Sequence, residues 1–114
     1  MFCFVSEFSE AVIVERPQDT VSFIGDTAVL RCRTNQSQSY MTWGYGTHPG
    51  IPTIALSSRG VYARYIRLSL NDSTEGQFDL IINSTQQDDA GTYSCTEGFE
   101  PAVTADLVLL GKFY

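Results

Sequence analysis

The chain has 114 residues, 43% of them hydrophobic, and a formal charge of −6. That is one domain with one packed core, at a size where a covalent staple is a useful addition. The negative balance argues against nucleic acid and anionic membrane as partners, and no run approaches the ~20 apolar residues of a membrane span.

In chain order, Met1-Phe2-Cys3-Phe4-Val5 is apolar but too short for a signal core and lacks a basic start. Residues 1–9 are read as a leader remnant or an appended tail, 10–111 as the domain and 112–114 as a tail. Membrane attachment would then come through a segment outside this chain. Turn punctuation is frequent: Pro17, Gly25-Asp26, Gly44 to Pro52, Ser58-Arg59-Gly60, Asn71 to Gly76, Gly91, and Gly98 to Pro101. Short alternating runs lie between, and none keeps a helical period for three turns, so the expected fold is an all-β antiparallel sandwich.

The predicted strands are 10–15 and 19–23, one strand split at Pro17; 27–33 with Ala28, Leu30 and Cys32 inward; and 39–45 with Met41 and Trp43 inward. Then come 53–57; 64–70; 76–83 with Phe78, Leu80 and Ile82 inward; 91–97 with Tyr93 and Cys95 inward; and 103–110 with Leu107 and Leu109 inward. Period-two alternation assigns these faces once the cysteines are placed on the core side. The order Cys32, Trp43, Cys95 fits two sheets pinned by one disulfide with an indole against it. Closing that loop contributes about 4 kcal/mol in the chain-entropy model.

The motifs Gly25-x-x-Ala28-x-Leu30-x-Cys32, Trp43, Leu80-x-Ile82 and Asp89-x-Gly91-x-Tyr93-x-Cys95 together resemble a V-type, or closely related I-type, domain of the immunoglobulin superfamily over about residues 10–110. The stretch around Arg64 and Gly76 to Ile82 resembles first domains of nephrin-like and Kirrel-like adhesion receptors and V domains of immune receptors. The resemblance implies a tyrosine corner at Tyr93 and a carboxylate, Asp89, paired with an arginine opening the 64–70 strand. Arg64 is the first choice for that arginine and Arg67 the second. The last strand, Ala105 to Gly111, lacks the Phe-Gly-x-Gly bulge of rearranging antigen receptors, and Gly44 follows Trp43 where a basic residue is usual. The resemblance therefore implies a germline-encoded immune or adhesion receptor domain.

Chemistry finds no foothold. The single histidine, His48, stands beside Pro49 in a predicted turn with no local motif to orient it as a base. No C-x-x-C spacing is present and one histidine cannot complete a zinc site, so no metal or cofactor is expected. Asp88-Asp89 resembles a calcium pair only until Asp89 is given its structural use. Cys3 is an odd cysteine in an unpatterned terminus.

The sequons Asn35-Gln36-Ser37, Asn71-Asp72-Ser73 and Asn83-Ser84-Thr85 favour a secreted or cell-surface protein. Asn35 and Asn71 are expected at the loop end formed by 34–39, 71–75 and 97–102, and Asn83 near the opposite end. Between Arg67 and Lys112 lie eight acids and no base, which ordinary solvation of edges and turns explains, although a basic partner could exploit it.

The sheet of 39–45, 53–57, 91–97 and 103–110 carries no sequon. Its outward residues by alternation are Tyr40, Thr42 and Gly44, then Thr92, Ser94 and Thr96, then Thr104, Asp106 and Val108. Small, nearly uncharged positions let another surface approach closely, with Tyr40 as anchor; threonine-rich strands also form for local reasons. Phe99, on a turn-rich loop between Glu97 and Glu100, is a second anchor or a lid on the core. Three readings follow, of which the first two are binding of a protein partner, a second copy of the chain included, and binding of a microbial surface ligand through the loops. A structural spacer is the third.

Overall fold

The computed structural model describes residues 12–36, 40–46, 52–98 and 100–111. Its strands are β1 (Ile13–Glu15), β2 (Thr20–Phe23), β3 (Ala28–Leu30), β4 (Arg33–Thr34), β5 (Met41–Tyr45), β6 (Thr53–Leu56), β7 (Gly60–Val61), β8 (Leu68–Asn71), β9 (Asp79–Ile82), β10 (Gly91–Glu97) and β11 (Val103–Leu110). A short 3₁₀ turn, Gln87–Asp89, precedes β10. One sheet has six strands in the order β2-β11-β10-β5-β6-β7. Opposite it lie the three-stranded β3-β9-β8 and the pair β1-β4.

The first strand divides where expected. Pro17 is buried and has no N–H to give a ladder, so the chain changes sheets there. Before it, β1 pairs antiparallel with β4; after it, β2 runs parallel to β11, with Val21 beside Val108 and Phe23 beside Leu110. The predicted 27–33 strand is instead two pieces. At the break the Cys32 N–H donates to the Asp79 carboxylate at 3.0 Å, so a side chain replaces a rung of the ladder. The two-residue β7 was not among the predicted strands and overlaps the predicted turn Ser58-Arg59-Gly60 only at Gly60; the turn Ser57–Arg59 sends the chain back against β6.

Alternation sorts the side chains. Ala28, Leu30, Cys32, Met41, Trp43, Phe78, Leu80, Ile82, Tyr93, Cys95, Leu107 and Leu109 are all buried in one core, as the period-two assignment requires. Ile54 and Ala55 are adjacent yet both buried. Trp43 pairs with Ala55 and Gly44 with Thr53, so Ile54 is the extra residue of a bulge and turns inward.

Candidate functional site

A bonded frame holds the sheet that carries the site. Cys32 and Cys95 are bonded across the core with their Cα atoms 6.7 Å apart. The Trp43 indole N–H donates to the Phe78 carbonyl at 2.7 Å, which satisfies a fully buried donor. Tyr93 donates its hydroxyl to the Asp89 carbonyl at 2.6 Å, closing the tyrosine corner. Burial first, then the Asp89 charge, pushes the Tyr93 phenol up, so it stays a donor. Tyr45 packs edge-on against Tyr93, ring centroids 5.0 Å apart, and donates to the Ala90 carbonyl at 2.5 Å.

The partner of Asp89 is Arg67, not Arg64. The Arg67 guanidinium grips the carboxylate through two nitrogens, at 2.6 and 2.9 Å, and also donates to the Ser84 carbonyl at 3.2 Å. Arg64 misses because β8 opens only at Leu68. Residues 62–67 form turns, and the Arg64 guanidinium lies over the Tyr65 ring at 5.1 Å. Burial raises the Asp89 carboxyl, but the Arg67 bond and the Gln86 N–H outweigh it and the group settles below its ordinary value. Its hydrogen bond to Asp89 raises Arg67 in turn. Gly91 follows with a φ of +141°, and a Cβ there would fall 2.9 Å from Tyr45 Cζ. The glycine is needed for the approach of that ring as well as for the turn.

On this frame the six-stranded sheet turns one face to solvent. The register aligns Thr96 with Thr42, Ser94 with Gly44 and Thr104, and Thr92 with Asp106. Tyr40 stands 53% exposed at the edge of the face, Thr104 and Asp106 are exposed, and Thr42, Thr92 and Thr96 are half-buried. The Thr92 hydroxyl donates to the Asp106 carboxylate at 2.7 Å.

Two expected contact residues are corrected. Ser94 is only 1% exposed and Gly44 is buried. Both lie on the outward side by parity, but β10 and β5 are inner strands with neighbours on both sides. A side chain as short as serine's stays at backbone level there, its hydroxyl directed at the Gly44 carbonyl at 3.5 Å. Alternation reports the side of a sheet, not the depth below the neighbouring side chains.

All three sequon asparagines fall on the other side of the molecule. Asn35 follows β4, Asn71 ends β8 and Asn83 follows β9. Asn71 accepts from Ser73 through both N–H and hydroxyl. Backbone bonds from Thr34 N–H to Gly76 and from Gly98 N–H to Tyr40 draw the described loop segments to one end, as expected. Phe99, His48 and Cys3 lie outside the described residues.

Sequence reasoning missed Asp79. It is buried, accepts from Cys32 N–H and from Gln77 Nε2 at 2.8 Å, and stands 3.7 Å from Arg31. Its signal, an acid in an otherwise apolar alternation, is read as an exposed position when taken alone.

A family model described as the immunoglobulin domain matches residues 11–97. The structure of Dpr11 IG1 bound to DIP-gamma superposes with a TM-score of 0.78 at 18% identity, covering 90% of this chain and 52% of that one. The RIG-5 IG1 homodimer gives 0.72 at 19% identity, covering 90% and 99%. The Ig1 domain of mouse SynCAM 2 gives 0.69 at 23% identity, covering 85% and 95%. This chain spans about half the length of the first of these and nearly all of the other two.

Proposed function

The chain belongs to the immunoglobulin domain family, and from that premise we propose that it is a non-enzymatic extracellular recognition module that binds a protein partner through the outward face of its six-stranded sheet. The observation that carries this is the distribution of sequons. All three lie on the β1-β4 and β3-β9-β8 side, and the outward face of β5, β10 and β11 has none. That face offers Tyr40, Thr42, Thr92, Thr96, Thr104 and Asp106, a mostly small and neutral surface on which another sheet can settle. Solved structures of the same fold include one immunoglobulin domain bound to another protein and one homodimer. A germline-encoded adhesion or immune receptor fits this reading.

The test is Thr42→Arg, which adds a charge at a half-buried position on the face and leaves the core alone. Partner binding, and any concentration-dependent mass seen by light scattering, should fall by about tenfold or more. Unchanged binding and unchanged mass would reject the face.

A further inference from the structure

The β2–β11 ribbon carries a pattern that the threonine surface does not. The parallel register places two outward pairs in a ladder, Val21 with Val108 and Phe23 with Leu110, and just before it the Asp106 N–H reaches the Asp19 carboxylate. Val21 is 65% exposed, Phe23 47%, Val108 46% and Leu110 44%. Four large apolar side chains in one block are a surface with a use, not scattered exposure. Directly above them the two acids are fixed. Asp19 accepts the Asp106 N–H at 2.9 Å, and Asp106 accepts the Thr92 hydroxyl at 2.7 Å. Each uses one oxygen, and neither has an ion pair among the described residues. Among the described residues facing outward on β2, β11, β10 and β5, none is Lys or Arg.

We infer that this ribbon docks a protein other than a second copy of the chain, one presenting aliphatic or aromatic side chains flanked by a Lys or Arg that reaches Asp19 and Asp106. The inference rests on the protein-partner reading above and names the partner's chemistry. Charge complementarity decides against self-pairing. Two identical faces meet about an axis lying in the plane of contact. If that axis runs along the strands, acid pairs oppose acid pairs. If it runs across them, Asp19 and Asp106 are carried over the apolar end, with no described base to meet them. Either arrangement desolvates carboxylates against a face whose described strand residues supply no base, which opposes association. A foreign surface with one basic residue removes that opposition and covers the four apolar side chains in the same step.

The experiment displays purified immunoglobulin-domain ectodomains of the same organism on beads, together with the chain itself. The wild type, Val108→Lys, Asp106→Asn and Thr42→Arg are presented to them in soluble form. These positions are exposed or half-buried, and an unchanged melting temperature certifies each variant as folded. Binding to a foreign ectodomain that falls about tenfold in both Val108→Lys and Asp106→Asn is the expected result. Added salt should weaken the wild type more than Asp106→Asn. Binding abolished by Thr42→Arg but untouched by the other two overturns this inference and leaves the broader reading standing. Self-association that Val108→Lys abolishes also overturns it. Silence across the whole panel rejects both.

Discussion

The Arg67–Asp89 pair shows what a single placement decides. A bidentate guanidinium closes the bottom of the sandwich by joining the approach to β8 to the turn before β10. Asp89→Asn leaves Arg67 with a neutral acceptor in a half-buried site and should cost about 3 kcal/mol in chemical denaturation. The pH dependence has a defined sign. The folded Asp89 carboxyl lies below its ordinary value, so its stabilisation is complete above the unfolded value of about 4 and drains away as pH falls through the folded one. The wild-type melting temperature should therefore drop more steeply than that of Asp89→Asn between about pH 5 and about pH 2. Gly91→Ala adds a methyl against the Tyr45 ring at a φ that L residues rarely adopt. The expected loss is about 2 kcal/mol or more, with near-UV tyrosine dichroism reporting the displaced ring. The sequence reading put Arg64 ahead of Arg67, and the structure reverses that order. The choice between them turns on where β8 begins, and the turns over 62–67 have no periodicity to show it.

Strands carry their meaning in pairs. The inner faces were legible because cysteine, tryptophan and tyrosine fix parity at three strands, and apolar alternation propagates it through the rest. The outer face was legible only as a list of positions. Ser94 and Thr42 share it, yet one is sunk and the other accessible. Ser94→Arg should accordingly behave as a core lesion, destabilising by more than about 3 kcal/mol, whereas Thr42→Arg should melt within a few degrees of wild type. Differential scanning fluorimetry of the two variants separates depth from side. The division between β3 and β4 was equally invisible, since it depends on Asp79, distant in sequence, taking the Cys32 N–H. Asp79→Ala would orphan that buried donor, and rapid amide exchange at Cys32 would show it.

At the scale of the molecule, the Cys32–Cys95 bridge and one core hold two unequal layers whose outer surfaces differ in kind. Removing the Cys32–Cys95 bond should cost about 4 kcal/mol, which in a domain of this size lowers the melting temperature by on the order of 20 °C. The sugar-bearing candidates crowd one side, so replacing Asn35, Asn71 and Asn83 together by glutamine should leave partner binding unchanged in surface plasmon resonance. Sequence reasoning placed Asp106 and Val108 outward on the last strand, but the pairing of β2 with β11 escaped it. Its pattern exists only in a parallel register between segments some 87 residues apart, as the Asp106–Asp19 bond spans.

Thr85 has a consequence in time. It completes the sequon of Asn83, yet it is 1% exposed, its hydroxyl given to Phe23 and receiving the Gly25 N–H. Were a glycan transferred to this Asn-x-Thr triplet, whose acceptor signal includes that hydroxyl, attachment at Asn83 would have to outrun the closing of the domain around it. Occupancy there would then serve as a stopwatch for maturation. A slowly collapsing variant should emerge from the secretory route heavier by one sugar tree, and intact mass would record the race.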